Sequence, residues 1–171
     1  MDIVKLQIQK KRKELLFLFS KVYSGGLRGI DGYVVQVEAD VSDGLPGFYM
    51  VGSLASEVRE AEERVRTAMR NAGFHLSARK ITVNLSPANV RKEGTACDLP
   101  VAIAVLAAYG IVMPSGLKQT GFLGELGLDG KIKPVRGVLS MVLAMAEKGL
   151  ERCFLPEENV EEGVAADCME I

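Results

Sequence analysis

The sequence contains no tryptophan, one histidine and three cysteines, and these shortages argue against several kinds of site. Cys97, Cys153 and Cys168 are widely spaced and form no CxxC pair, so with His75 as the single histidine we expect neither a zinc site nor a disulfide framework. His75 lies between a predicted helix end and a predicted strand. There we expect a surface side chain rather than a catalytic base.

Long apolar runs, a signal peptide and a nucleotide-phosphate loop are also missing. The longest apolar stretches, near 101–113 and 138–146, are shorter than the roughly 20 residues that cross a bilayer, and no small-residue cleavage site follows the apolar patch within 1–19. The only Gly-Lys pair, Gly130-Lys131, is followed by Ile132 and lacks the first glycine of a phosphate loop. We expect a cytoplasmic protein with no membrane partner and no cofactor in this chain.

Positive and negative charges nearly balance over the 171 residues, with 21 Lys and Arg against 22 Asp and Glu. No overall field therefore attracts nucleic acid, and any anionic partner has to bind a local patch. The charges are nevertheless uneven. Residues 1–28 hold seven basic and two acidic side chains, whereas residues 147–171 hold two basic and eight acidic ones. Solvated faces are the favoured interpretation of both runs.

Residues 1–18 form an extension that does not fit the pattern of the rest, and residues 19–171 are predicted to form one domain. A purine-rich ribosome-binding stretch would encode Arg12-Lys13-Glu14 if it were translated. A true start at Leu18 is therefore a hypothesis. It requires a UUG codon at Leu18 and is rejected if the gene has another codon there.

Alternating hydrophobicity predicts the strands. A half-buried strand is expected over 34–41, beyond a turn at Gly29–Gly32, and a second strand over 48–51 is expected to pair back on it. Further strands are predicted over 81–85 and 152–155. Asp129-Gly130 is a strong two-residue turn signal, so a β-hairpin is expected between the segments 121–128 and 131–135.

Three helices are expected between these strands. Apolar residues at helical spacing over 57–72, with charges on the other side, predict an amphipathic helix. The stretch 101–109 is apolar all round and is placed in the core, with Asp98 as the expected N-cap. The third helix is predicted over 138–148. This order of elements predicts an α+β or α/β fold built as one pair of layers.

Three blocks in the second half resemble the proteolytic domain of Lon proteases, namely Lys92–Asp98, Gly124–Gly137 and Pro156–Asn159. Blocks in the first half resemble the N-terminal domain of the ComM (YifB) group, which is described as magnesium-chelatase-like. These first-half blocks are Ser20–Asp31, Gly44–Gly52 and Glu57–Arg66. The resemblance covers about residues 19–171 and implies the two-layer fold of ribosomal protein S5 domain 2.

Lon proteases use a serine nucleophile that is activated by a lysine, and the resemblance implies that both are replaced here. The matched positions hold Ala96 and Leu139. A shift of one residue would offer Thr95 or Cys97 as nucleophile, but the base would still be missing because the nearest lysines belong to the predicted hairpin. The resemblance therefore implies a domain without peptidase activity.

In the ComM group this domain precedes a ring-forming AAA+ ATPase module that is implicated in DNA branch migration during competence and recombination. The implied partners are that module, further copies of the chain in a homo-oligomeric ring, and DNA. ATP and Mg²⁺ are expected only in the AAA+ module. No Walker motif precedes Ile171, which suggests an excised domain or a truncated reading frame.

Four basic residues that flank the strand 81–85 are the candidate phosphate contacts: Arg79, Lys80, Arg91 and Lys92. A solvated loop is the simpler interpretation of the same residues. Three other functions stay open, namely a Lon-like protease, a magnesium-chelatase subunit and a protein-binding adaptor.

Overall fold

The computed structural model of the chain describes residues 18–171. The predicted extension lies outside the described residues except for Leu18. The hypothesis of a true start at Leu18 also concerns residues outside the described ones. The carbonyl of Leu18 accepts a hydrogen bond from the amide of Val41 at 2.8 Å, so this residue already pairs with the sheet.

A six-stranded mixed sheet runs through the molecule in the order β3-β4-β2-β1-β5-β8. Its strands are β1 (Phe19–Arg28), β2 (Asp31–Ser42), β3 (Gly47–Val51), β4 (Lys80–Ser86), β5 (Thr120–Phe122) and β8 (Arg152–Phe154). Pairing is antiparallel between β1 and β2 and between β2 and β4, and parallel in the other three neighbouring pairs. The prediction that β3 pairs back on the preceding strand was wrong, because β3 lies beside β4 and parallel to it.

The predicted hairpin at Asp129-Gly130 is confirmed. It consists of β6 (Glu125–Leu126) and β7 (Ile132–Lys133), which pair with each other and not with the main sheet. The Asp129 carboxylate accepts a hydrogen bond from the amide of Lys131 at 3.1 Å and so fixes the turn. The hairpin is shorter than predicted, because residues 120–122 belong to β5 of the main sheet.

All three predicted helices are present, with different bounds. The structure has α1 (Ser56–Arg59), α2 (Ala61–Asn71), α3 (Asp98–Ala108), α4 (Val138–Glu147) and α5 (Val160–Val164), with short 3₁₀ turns at Pro114–Leu117 and Glu157–Asn159. The predicted helix over 57–72 is divided at Glu60 into α1 and α2. The apolar helix α3 is buried along almost its whole length, as predicted.

The expected single pair of layers is not what the structure shows, because helices cover both faces of the sheet. Helices α2 and α3 pack on the face that carries Val22, Val35 and Val37 and form the larger core. Helix α4 packs on the opposite face of β1 and β2. It approaches so closely that a Cβ on Gly32 would lie 2.0 Å from the Ser140 carbonyl oxygen. The mixed α/β composition agrees with the α+β prediction, and only its layering differs.

A buried ion pair joins the elements of the larger core. The Arg64 guanidinium donates to both oxygens of Asp98, from Nε at 2.9 Å and from Nη2 at 3.1 Å. The same Nη2 donates to the carbonyl of Glu57 in α1, and the amide of Leu126 in β6 donates to Asp98 at 3.2 Å. Asp98 is 1% exposed. One carboxylate therefore links α2, α3 and the hairpin.

The two ionised forms stabilise each other across this contact. Burial raises the pKa of Asp98 above its ordinary value, and the hydrogen bonds from Arg64 and from the Leu126 amide offset part of that rise. The hydrogen bond to Asp98 raises the pKa of Arg64. Because three N–H donors converge on two carboxylate oxygens, the ionised carboxylate is the form that this fold holds.

Asp98 is not the helix N-cap that was predicted, because α3 begins at Asp98 and Cys97 occupies the cap position.

Replacing Asp98 by asparagine should lower the free energy of unfolding by about 2–4 kcal/mol, because it leaves the mostly buried Arg64 cation with the exposed Glu60 carboxylate, 3.9 Å away, as its remaining partner. Equilibrium urea unfolding measures this change. Arg66→Gln is the matched control, since the salt bridge of Arg66 among residues 18–171 is with the exposed Glu63 at 3.3 Å, and its loss should change stability by less than about 0.5 kcal/mol. Equal stabilities of Asp98→Asn and Arg66→Gln would contradict the role of the buried pair.

Candidate functional site

Ala96, at the position that matches the Lon serine, lines a cleft of about 530 Å³. Its walls come from the end of β1, the loop 93–96, Glu125 and the segment 134–136. Backbone hydrogen bonds hold the loop in place, because the amide of Gly124 donates to the Ala96 carbonyl at 3.1 Å and the amide of Leu99 donates to the Gly124 carbonyl at 3.0 Å. The cleft is thus well defined, although a methyl group stands at the matched position.

The polar groups nearest in sequence to Ala96 do not form a nucleophile and a lysine base. The Thr95 hydroxyl donates to Oε2 of Glu125 at 2.6 Å, and Nζ of Lys133 lies 4.0 Å from Oε1 of the same carboxylate. The Lys133 side chain is 54% exposed. A lysine that serves as a base is usually desolvated, whereas Lys133 is exposed and lies next to a carboxylate.

Cys97 is a core residue rather than a nucleophile. Its side chain is 6% exposed, and its Sγ lies 3.9 Å from the Ser24 hydroxyl. Burial raises the pKa of Cys97 to about 11, so the thiol stays protonated near neutral pH. Since the thiolate is the reactive form, a shift of one residue from Ala96 does not supply a nucleophile here.

Leu139, at the position that matches the Lon lysine, lies in the first turn of α4. Its amide donates to Oε1 of Glu162 at 3.1 Å, and its side chain is 37% exposed. It is not among the residues that line the cleft around Ala96. The two matched positions therefore hold apolar side chains, and only Ala96 faces the cleft.

The four predicted phosphate contacts do not form one patch. Arg79 and Lys80 lie at the start of β4, whereas Arg91 and Lys92 follow its other end. At about 3.3 Å per residue the strand separates the two pairs by roughly 20 Å. The two pairs therefore lie apart, because the strand between them is extended.

The side chains of Arg79 and Lys80 also lie on opposite faces of the sheet. Arg79 lines a cleft of about 450 Å³ together with Arg66, Arg70 and His75, and it pairs with Asp43 at 3.7 Å. Lys80 lies on the other face, with its Nζ 5.9 Å from the ring centre of Tyr49. His75 is an exposed loop residue, as predicted.

Arg91 and Lys92 differ in exposure. Arg91 is exposed, pairs with Glu93 at 3.8 Å and lines a shallow pocket with Arg59. Lys92 is 1% exposed, and its Nζ donates to the carbonyls of Pro87 and Val90, at 2.9 Å to Val90. The prediction of Lys92 as a phosphate contact is corrected, because its ammonium is enclosed by the loop that it holds.

A further basic cleft was not predicted. It has a volume of about 950 Å³ and is lined by Lys21, Lys118 and Lys148, together with Tyr23 and Gln36. The lysines are 97 and 30 residues apart in the chain and come from β1 and from two loops. No local motif or charge run connects them, so only the pairing of the strands could have revealed the cleft.

Two kinds of feature are absent from residues 18–171. No three His, Cys, Asp or Glu side chains there are grouped so that they could hold a metal ion. Among the helices of the same residues, none has both the length and the apolar character needed to cross a membrane.

Lys92→Ala should lower the free energy of unfolding by about 1–3 kcal/mol, because it removes a buried side chain and leaves the carbonyls of Pro87 and Val90 without their donor. Urea unfolding measures the loss. Lys80→Ala, at an exposed lysine on β4, is the control and should change stability by less than about 0.5 kcal/mol. The structural role of Lys92 is wrong if Lys92→Ala is as stable as the Lys80→Ala control.

Known proteins match most of the chain. Residues 37–159 match the family model described as subunit ChlI of Mg-chelatase. Competence protein ComM of Haemophilus influenzae is 43% identical over 141 residues, which is 82% of this chain and 28% of ComM. Protein YifB of Escherichia coli is 38% identical over 143 residues, which is 84% of this chain and 28% of YifB.

Similarity to a peptidase is weaker. A Lon protease of Mycolicibacterium smegmatis is 28% identical over 140 residues, which is 77% of this chain and 17% of the protease. The chain thus spans less than a third of the length of each of these relatives. On the family model and the ComM and YifB identities together, the chain belongs to the ComM/YifB family of Mg-chelatase-like proteins.

Proposed function

We propose that residues 19–171 are the non-proteolytic, Lon-like domain of a ComM/YifB-type AAA+ ATPase, with a fold like that of ribosomal protein S5 domain 2. In this proposal the domain helps the protein to assemble into a ring and contacts the DNA that the ring moves. The observation that carries the proposal is the cleft around Ala96, which keeps the walls of a site but lacks its nucleophile.

The chemistry of the cleft supports a role without catalysis. Peptide hydrolysis by a serine–lysine pair needs an oxygen nucleophile and an uncharged amine to take its proton. Ala96 and Leu139 supply neither group. The Thr95 hydroxyl is bonded to Glu125, and Lys133 is held against the same carboxylate. A protease function would require these groups to separate and regroup around a substrate.

ATP and Mg²⁺ are assigned in this proposal to the AAA+ module and not to this chain. The glycine-rich stretch Gly124–Gly130 does not fit a nucleotide-phosphate loop, because it forms the β6–β7 hairpin and its turn. A phosphate loop instead connects a strand to a helix, whose N-terminal amides bind the phosphates. No step of the proposed function is therefore routed through a nucleotide on these residues.

Protein docking is the second candidate function, and exposed apolar side chains favour it. Leu139 and Leu143 are 37% and 42% exposed on α4, and Val160 and Val164 are 39% and 56% exposed on the neighbouring α5. The spacing of four residues places each pair on one side of its helix. These side chains are suited to contact the AAA+ module, a second copy of this chain, or another protein that the domain binds as an adaptor.

The domain should bind single-stranded or branched DNA with an affinity that falls as salt rises, because each phosphate contact releases counterions. Fluorescence anisotropy at about 50 and 200 mM salt measures this dependence. Arg91→Ala should weaken binding and reduce the salt slope by about 1. Lys131→Ala is the control, because Lys131 is an exposed hairpin residue paired with Asp129.

The outcomes separate the two candidates. Binding that does not change with salt, or equal effects of Arg91→Ala and Lys131→Ala, would contradict the DNA contact proposed at Arg91. The absence of any DNA binding by the unmodified chain would reject the DNA role of this domain and leave assembly or protein docking as its function.

A further inference from the structure

The basic cleft lined by Lys21, Lys118 and Lys148, here called the lysine cleft, lies on the face of the sheet that α4 covers only in part. Helix α4 packs against β1 and β2 near Gly25 and Gly32, and it ends at Glu147. The lysine cleft begins there, with Lys148 and the segment that leads to β8 as one wall. Lys21 and Tyr23 of β1 and Gln36 of β2 form its floor.

The lining of the lysine cleft carries charge of one sign. None of its residues is an aspartate or a glutamate, although the chain has 22 acidic residues. No salt bridge within residues 18–171 involves Lys21, Lys118 or Lys148. Three cations around one concave surface favour an anionic ligand, although Glu38 of β2 lies across from Lys21 of β1.

The acidic groups beside the lysine cleft are bonded to amides. Glu38 accepts from Nε2 of Gln36 at 2.7 Å and from Nδ2 of Asn84 at 2.9 Å. Glu151 accepts from Nε2 of Gln119 at 2.7 Å. These contacts hold Gln36 and Gln119 in place at the cleft, where amides can bond to the edges of bases.

Two tyrosine rings complete the lining. Tyr23 is half-buried, and Nζ of Lys21 lies over its ring at 5.7 Å from the ring centre, so a cation and an aromatic face are in contact. Tyr33 is held by a 3.3 Å hydrogen bond from its hydroxyl to the Arg91 carbonyl. Burial raises the pKa of Tyr33 to about 12, so this ring carries no charge that would repel a phosphate. Lysines beside aromatic faces are the usual lining of surfaces that bind single strands.

The extent of the lysine cleft fits a strand rather than a single nucleotide. Its lining runs from Ser86 at the end of β4, across β2 and β1, to Gln119 just before β5. Neighbouring strands are about 4.8 Å apart, so these three steps span roughly 15 Å. An extended run of a few nucleotides covers this distance, and its phosphates can reach Lys21 on β1 and Lys118 just before β5.

We propose that the lysine cleft binds a short stretch of single-stranded nucleic acid, with Lys21, Lys118 and Lys148 on its phosphates and Tyr23 against a base. The inference rests on the proposed contact with DNA, and it assigns that contact to residues that differ from the four predicted ones. The lysines supply affinity, and the ring and the two amides keep the bases unpaired on the floor of the cleft.

Binding of a fluorescent oligonucleotide of about 8 nucleotides to the full chain tests this assignment. The double variant Lys118→Ala/Lys148→Ala should weaken binding about tenfold and lower the salt slope by about 2. The matched control Arg28→Ala/Lys131→Ala removes the same charge from exposed positions outside the cleft and should change the affinity less than about twofold. Thermal unfolding of both variants shows whether they fold, and Tyr23→Leu tests stacking without a change of charge.

Each outcome decides the proposal. Selective loss of binding in the cleft variant, with a duplex of the same length bound more weakly by the unmodified chain, supports it. Equal losses in the cleft variant and the control, or tighter binding of duplex, would overturn the cleft while leaving a DNA role elsewhere in the domain intact. A mononucleotide that competes as well as the oligonucleotide would also overturn it. No binding by the unmodified chain rejects both the cleft and the proposed DNA contact.

Discussion

The bidentate contact between Arg64 and Asp98 fixes how the helices of the larger core meet the hairpin. Asp98 begins α3 directly after the loop that carries Ala96, and it also accepts the amide of Leu126 in β6. The contact therefore supports the loop 93–96 and Glu125, which both line the cleft around Ala96. A charge buried in the core thus determines the shape of a site in which it takes no chemical part.

The cleft around Ala96 has a well-defined backbone, but the side chains at the two matched positions are not those of a catalytic pair. The backbone holds Ala96 beside Glu125 through the Gly124 hydrogen bond, as a site for a nucleophile would require. The side chains at the two matched positions are nevertheless a methyl and an isobutyl group. The charge that could serve binding lies elsewhere, around the lysine cleft, which shares no lining residue with the cleft around Ala96. The family similarity and this distribution of charge both favour a binding role over a hydrolytic one.

Most regular elements could be predicted from the sequence, because their hydrophobic periods or turn residues are strong. Strand β1 was not predicted, since its buried face carries Ser20 and Ser24 and its end carries Gly25, so no apolar alternation is visible. Ser20 is tolerated because its hydroxyl donates to the Ala104 carbonyl at 2.6 Å. The alanine and the leucine at the two matched positions can be read from the motifs alone. The burial of Lys92 and the meeting of three distant lysines depend on tertiary packing, which no local pattern encodes.

The central claim is that this domain has kept a peptidase scaffold without peptidase activity, and hydrolysis of an unfolded protein substrate tests it most directly. The full chain should release fluorescent peptide fragments no faster than buffer at any pH between about 6 and 9, because no nucleophile and base meet at Ala96. Sustained hydrolysis that is abolished by Thr95→Val or by Cys97→Ala, with the fold unchanged, would contradict the account and show that a neighbouring side chain had taken over the reaction.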